Sequence, residues 1–385
     1  MKKILFDLSR TQPVGNVKHH GGGKYGLAVF ERIVSLFPNN IAVYYDDTRY
    51  IDNYAKRIIN DYGLTVYFKR NISLYDAARN ESCIVYCCLF DSRYEPLPPK
   101  DITLIQTQHG LRVLEMPKDE YQDSYTNNKR LFIRSTLHRI KEKFFSPERE
   151  VSKSLNKMFR QNNIKHITVS YHSKASLLVF FPKLDPNAIK VFYSPSTITH
   201  LNTSSENQYG KFYLLVSGNR WIKNNIRAIR ALDELFTEHS NMEGSVVITG
   251  LSSCNEIQYK IRNQKRFHFI GYVEEKELVS LYKNAYLFIY PSLNEGFGYP
   301  PLEAMSNGCP VISSAIASIP EVCDNAVLYF NPYSIPEIKM RILQMEDEPL
   351  RLNYIQKGYS RQIEIEKKQE EDLTALCHFI MSFVK

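Results

Sequence analysis

Residues 291–321 read PSLNEGFGYPPLEAMSNGCPVISSAIASIPE. An apolar run at 285–290, AYLFIY, precedes them and reads as a buried strand. A loop carrying Gly296 and Gly298 follows, and Pro301 stands where a helix would start. A short helix over LEAMSN then closes at Gly308, before a second apolar strand at 311–313. On this reading Glu295 lies in the loop and Glu303 in the first helical turn.

Such a segment suits an anionic ligand that also bears hydroxyls. Gly296 and Gly298 have no side chain to hold a ligand off, so backbone N–H groups can approach phosphate oxygens. A helix N-terminus adds partial positive charge at the same place. A carboxylate there repels phosphate but accepts hydrogen bonds from sugar hydroxyls. Two carboxylates either side of a phosphate nest therefore suggest a sugar at one end and a ribose at the other. An ordinary strand–loop–helix, with Glu303 capping and Glu295 solvated, stays open on residue types alone.

The residues E-G-F-G-Y-P-P-L-E, with Glu303-Ala-Met, Gly308-Cys-Pro-Val-Ile and Ile319-Pro-Glu321 after them, resemble the E-x7-E signature of retaining GT-B glycosyltransferases, family 4 in particular. That resemblance implies an α/β fold with two Rossmann-like domains facing an interdomain cleft. It implies that Glu295 contacts the donor sugar, that Gly296, Phe297 and Gly298 meet the distal phosphate and sugar, and that Glu303 holds the ribose.

The chain's 385 residues are enough for two domains with their own cores. Hydrophobic content of 43% and charged content of 23% are those of a globular protein, and no apolar run approaches a membrane span. The N-terminus, MKKILFDLSRTQP, reads as a first strand and not a signal peptide. Seven cysteines without paired metal spacing point to reduced thiols and a cytoplasmic location.

Residues 3–8 open a Rossmann-like domain expected over 1–205. Gly21 to Gly26 formally satisfy G-x-G-x-x-G, and Asp46 falls where a dinucleotide fold places its ribose-binding acid. This is the case for a rival reading, an NAD(P)-dependent oxidoreductase. Against it, about a dozen residues part the strand from the first glycine, whereas the fingerprint turns directly from strand to helix. The family resemblance instead implies a glycine-rich loop near donor phosphates and acceptor, carried by Gly22 and Gly23. His109 follows an apolar run at 102–107, where parallel sheets bind ligands. The resemblance implies that it touches the donor sugar, although Gly110 replaces the Asp of the family's common His-Asp pair. A packed or solvated loop histidine is the other reading.

Residues 129–165 carry eleven Lys or Arg against three Glu, a surplus equal to the chain's formal charge of +8. Ile133, Leu137, Ile140 and Phe144 recur at helical spacing, and a second helix starts at Ser146-Pro147. Two helices with solvated basic faces are one reading. The other is a face drawn to an anionic membrane, which would bring the chain to a lipid-linked acceptor. Nucleic acid is a poorer partner, because no nucleic-acid motif is present.

A polar stretch at 197–210 reads as the linker to a donor domain over 206–365, with a terminal helix near 366–385 packing back on the first domain. After an apolar strand at 212–216, Arg220 and Lys223 flank a helix start, a good place to neutralise a diphosphate. The resemblance assigns an Arg and a Lys to that task, here closer together than usual. Tyr272 and Val273 stand where relatives seat the nucleobase on backbone groups.

The expectation is a metal-independent glycosyltransferase using a UDP- or GDP-sugar, since no D-x-D triplet occurs in the chain. Its acceptor would be a glycan or lipid-linked hydroxyl, and no cofactor is called for. A sugar-nucleotide epimerase of the same fold is a further alternative.

Overall fold

The computed structural model describes residues 3–13, 21–116, 118–125, 147–196, 198, 207–257 and 259–384. The chain forms two compact units. In the first, seven strands are parallel: β1 (Ile4–Asp7), β2 (Ile41–Tyr45), β3 (Thr65–Phe68), β4 (Ile84–Cys87), β5 (Thr103–Gln108), β6 (Ile164–Thr168) and β7 (Ile189–Val191). Their order is β3-β2-β1-β4-β5-β6-β7. Every residue of β1 and β4 is buried, whereas none in the edge strand β3 is. Central strands covered on both faces read as continuous apolar runs, which is why ILFD and IVYC were legible as strands.

The second unit repeats the design with β8 (Phe212–Leu215), β9 (Ser245–Thr249), β10 (Phe267–Gly271), β11 (Leu287–Tyr290), β12 (Val311–Ser314) and β13 (Leu328–Phe330), all parallel. The order is β10-β9-β8-β11-β12-β13. Helix Asn225–Glu238 buries Ile229, Leu232 and Leu235 in one cluster with Tyr213, Val246, Ile248 and Leu287. In both sheets the direction of winding reverses at the centre, between β1 and β4 and between β8 and β11. Parallel sheets of this kind bind ligands beyond the strands' C-terminal ends at such a reversal.

The units are not simple halves of the sequence. The first comprises Met1–Leu114, Pro147–Thr197 and Glu366–Lys385, and the second Glu115–Ser146 and Ile198–Ile365. The division expected at 205 therefore gives up part of the first domain: Glu115 and residues 118–125 group with the second unit. The terminal helix runs Glu348–Met381. In the first unit its later turns are held by Arg32, which donates to Thr374 Oγ1 at 2.9 Å and pairs with Glu370 at 2.6 Å. The Asp372 carboxylate accepts the Tyr193 N–H at 2.8 Å.

Three local expectations need correction. The first helix begins at Gly21, not near Leu27, so the expected glycine-rich loop is the opening of helix Gly21–Leu36. Helix Tyr299–Ser306 starts two residues before Pro301, which moves Glu303 into its second turn. The 3-10 turn Trp221–Lys223 intervenes before helix Asn225–Glu238, so Lys223 lies on that turn. The helix expected over Ile133, Leu137, Ile140 and Phe144 lies outside the described residues.

Candidate active site

Beyond β8 and β11, at the reversal of the second sheet, a buried cluster of opposite charges is assembled. Lys223 is 5% exposed. It donates to Glu295 Oε1 at 2.6 Å and to the Tyr290 hydroxyl at 2.9 Å. Ser292 Oγ also donates to Glu295 Oε1. Local backbone bonding builds the arrangement: Leu293 N–H donates to the Ile222 carbonyl at 2.8 Å, tying the lysine's turn to the glutamate's loop. Asn224, held at φ +57°, reverses the chain between that turn and the next helix. Its amide donates to the carbonyls of Pro291 and Pro332 at 3.0 and 2.9 Å.

Burial disfavours both charges, and the pair answers it unequally. The Lys223 ammonium has its pKa lowered by burial first, and Arg220 acts the same way against the opposing pull of Glu295 and Glu303. For Glu295, burial pushes upward, but the charge and hydrogen bond of Lys223, with help from Ser292, outweigh it and lower the carboxyl's pKa. Removing one member of such a pair strands a buried charge, typically a loss of about 3–5 kcal/mol.

The loop from Glu295 to Gly298 is pinned from beneath. Ser318 Oγ is 2.9 Å from the carbonyls of both Glu295 and Phe297. Gly298 has φ +100°, a conformation that disfavours any side chain, and it immediately precedes helix Tyr299–Ser306. Pro300 and Pro301 delete two of that helix's first three N–H donors. The helix start therefore offers fewer backbone donors than an ordinary helix N-terminus. Glu303, partly exposed, accepts from the Tyr282 hydroxyl at 3.3 Å.

Other expected residues are more loosely placed. Arg220 is exposed beside the lysine's turn. Tyr272 and Val273 follow β10, with the tyrosine ring 74% exposed. In the first unit, Gly22 and Gly23 lie in the first turn of their helix, and a Cβ on Gly22 would come 2.5 Å from Leu89 Cδ1. His109 follows β5, its Nε2 2.9 Å from the Cys88 carbonyl and its ring 4.6 Å from that of Tyr25. It is thus part of the ends of β4 and β5.

The rival dinucleotide reading loses its geometry. Its glycines sit inside a helix, the first of them fourteen residues beyond the end of β1. Asp46 accepts from Thr48 N–H and Oγ1 at 3.1 and 2.6 Å in a local turn. Of the basic stretch at 129–165, residues 129–146 lie outside the described residues; the helix Pro147–Phe159 carries Lys153 and Lys157. Among the described residues no helix is long and apolar enough to cross a membrane.

Sequence reasoning did not find Tyr290, Ser292, Asn224 or Ser318. Tyr290 passed for strand core because it ends an apolar run. The signal available was its position, the last residue of a central strand, where a hydroxyl points toward a ligand end of the sheet. Ser318 and Asn224 act through backbone carbonyls and Ser292 through the Glu295 carboxylate, and none of the three leaves such a pattern.

Residues 199–361 match the family described as "Glycosyl transferases group 1". The chain is 28% identical over 222 residues to the O-antigen chain mannosyltransferase RfbU of Salmonella typhimurium, covering 56% of this chain and 61% of that one. It is 32% identical over 145 residues to O-antigen chain mannosyltransferase B of Escherichia coli, 36% of this chain and 38% of that one. The matches thus span less than two thirds of these relatives. Among solved structures, the lipopolysaccharide glycosyltransferase WaaG superposes with TM-score 0.64 at 13% identity, over 97% of this chain and 99% of that one. Anabaena HepE in complex with UDP and glucose gives TM-score 0.63 at 14% identity, over the whole of both chains. The chain accordingly has the GT-B fold, and its residues 199–361 match the model of the group 1 glycosyltransferases.

Proposed function

We propose that this protein is a retaining glycosyltransferase that moves a hexosyl group from a UDP- or GDP-sugar to a hydroxyl of a glycan or lipid-linked acceptor. Mannose is the hexose that the relatives' names favour, and surface polysaccharide the product class. The observation that carries this reading is the buried Lys223–Glu295 pair at the reversal of the second sheet, with Glu303 on the adjoining helix.

In the reaction the anomeric carbon–oxygen bond to the diphosphate breaks as the sugar becomes oxocarbenium-like. The acceptor oxygen bonds to the same face, and its proton passes to the departing phosphate oxygen. The main catalytic demand is stabilising the leaving charge. Lys223, Arg220 and the amides of Gly296, Phe297 and Gly298 are assigned to it. Glu295 then orients the sugar through its hydroxyls, released from part of its pairing when phosphate engages the ammonium. Glu303 accepts from the ribose, and backbone near Tyr272 and Val273 seats the base. His109, Gly22 and Gly23 are assigned to the sugar and acceptor side. No cofactor or metal enters this scheme.

A cytoplasmic location at the inner membrane face follows from the same reading, with residues 129–165 meeting anionic lipid. Neutralising Lys153, Lys157, Arg160 and Lys165 is expected to reduce sedimentation with anionic vesicles; unaltered partition would remove that element alone. The transferase reading itself is tested by thermal-shift titration with UDP-, GDP-, ADP- and CDP-sugars. Stabilisation by one class is expected, followed by acceptor-dependent release of its nucleoside diphosphate. Stabilisation by NAD(P)H and by none of the sugars would overturn it.

A further inference from the structure

Residues 115–125 stand outside the stretch that matches the family, yet they group with the second unit. Their attachment centres on Arg227, whose side chain is 3% exposed, paired with Asp119 at 4%. The guanidinium donates to Asp119 Oδ1 and Oδ2 at 3.1 and 3.0 Å and to Glu120 Oε1 at 2.9 Å. It also stacks 4.5 Å above the Tyr121 ring. Tyr125 adds a hydroxyl that accepts the Ile226 N–H at 3.0 Å. A buried ion pair of this kind contributes little net stability compared with apolar packing, so its worth lies in the geometry it fixes.

That geometry leads to the candidate site along two routes. Arg227 donates to Asn224 Oδ1 at 2.7 Å, which fixes the amide so that its nitrogen faces the Pro291 and Pro332 carbonyls. Asn224 adjoins Lys223, and Pro291 begins the loop that bears Glu295. By the second route, Asn294 donates its amide hydrogen to Glu115 Oε2, one residue before Glu295. The two sides of the lysine–glutamate pair are thus tied to one segment of eleven residues.

We infer that residues 115–116 and 118–125 form a strap that positions Lys223 and Glu295 for reaction, with Asp119 and Glu115 as positioning residues. The catalytic meaning rests on the transferase reading; the mechanical meaning does not. Displacement of a reacting group by about an ångström can cost about a hundredfold in rate. The strap acts on the pair and not on the ribose side.

The test uses the full chain with Glu115→Gln, Asp119→Asn and the double variant Asp119→Asn/Arg227→Met, which leaves no unpaired buried cation. Hydrogen exchange of the 292–297 amides is expected to quicken at least about tenfold in Glu115→Gln and in the double variant. Turnover should fall about tenfold while affinity for UDP or GDP, whichever the wild type binds, stays within about twofold. The double variant should recover Tm but not turnover. Unchanged exchange in both Glu115→Gln and the double variant would overturn the strap, whatever the activity. Faster exchange in a wild-type background that binds no nucleotide-sugar would instead overturn the transferase reading and leave the strap standing.

Discussion

The two sheets wind in the same order and reverse at the same point, but they dress that point differently. At the end of β8 and β11 a lysine and a glutamate are buried as an ion pair. At the end of β1 and β4 stand Asp7, whose carboxyl is pushed up by burial, and its register partner Cys87. Nearby, the hydroxyls of Tyr25, Tyr86 and Thr107 bond one another at 3.1–3.3 Å. The topology provides each unit with a place for a ligand; the side chains decide what charge that place tolerates. On the proposed reading the diphosphate would sit beside the buried ammonium, and the set of hydroxyls with a histidine would face an uncharged partner.

Exchanging that ammonium for a methyl is the strongest attack on the comparison. Lys223→Ala is expected to lower kcat by about 10²–10³, the usual effect of losing one preorganised donor to a developing anion. It also strands Glu295, so Lys223→Ala/Glu295→Gln should regain much of the lost Tm without regaining turnover. The corresponding change in the other sheet, Asp7→Asn, should leave kcat within about threefold. If Asp7→Asn proved as damaging as Lys223→Ala, the charge contrast would not be what separates the two ends.

The pH response separates the units a second way. His166 on β6 is buried against Gln106 Nε2, 2.9 Å from its Nδ1, and burial lowers its pKa from 6.5 to about 4. Between pH 6.5 and 4 the unfolded chain binds a proton there that the folded chain refuses. Stability therefore falls as pH falls through that window, by up to about 3 kcal/mol from this group. Denaturant titrations at pH 7 and pH 4 should show the loss, and His166→Gln should shrink it. In the second unit the depressed Glu295 carboxyl keeps its pairing below the ordinary glutamate value. The lowered Lys223 pKa predicts the opposite limb: turnover should decline on the alkaline side before an exposed lysine would lose its proton.

The second unit's side of this contrast was legible in the sequence, and of the first unit's only His109 and its place after a strand. The central strands announced themselves as apolar runs, and Lys223, Glu295 and Glu303 were singled out by their place after strands and by the E-x7-E resemblance. Three things were hidden. Helix starts at Gly21 and Tyr299 were missed because glycines and prolines read as loop, although packing carries the helix over them. The lysine and glutamate bond directly to each other, 72 residues apart in sequence, which no local spacing encodes. Residues 115–125 were assigned to the first domain because they follow its fifth strand; contacts such as the buried Arg227–Asp119 pair and the Tyr125–Ile226 and Glu115–Asn294 hydrogen bonds reveal their allegiance.

A gentler probe asks whether the second unit's site extends past the ion pair. Glu303→Ala should weaken UDP or GDP binding about 10–100-fold, the range for hydrogen bonds to a charged acceptor. The fold should hold, since Glu303 is partly exposed on its helix. Unchanged titration of the nucleotide would confine the site to Lys223, Glu295 and the loop between them.

The smallest effects compare one glycine from each unit. At Gly298 a Cβ would find Ile319 Cγ1 at 3.7 Å, ordinary contact, so space is available. The obstacle is φ +100°, and Gly298→Ala should cost about 1–2 kcal/mol in strain. At Gly22 the balance reverses. The residue is helical, where alanine gains about 1 kcal/mol over glycine. Its Cβ, however, would press on Leu89 Cδ1 at 2.5 Å, and that tip of a flexible side chain can yield at a cost of about 1 kcal/mol. The two terms nearly cancel, so Gly22→Ala should shift Tm by no more than a few degrees while Gly298→Ala lowers it plainly. A larger loss at Gly22 would mean that the packing of Leu89 on the first helix is as fixed as the loop before helix Tyr299–Ser306, and the contrast between a strained loop and a merely crowded helix would fall.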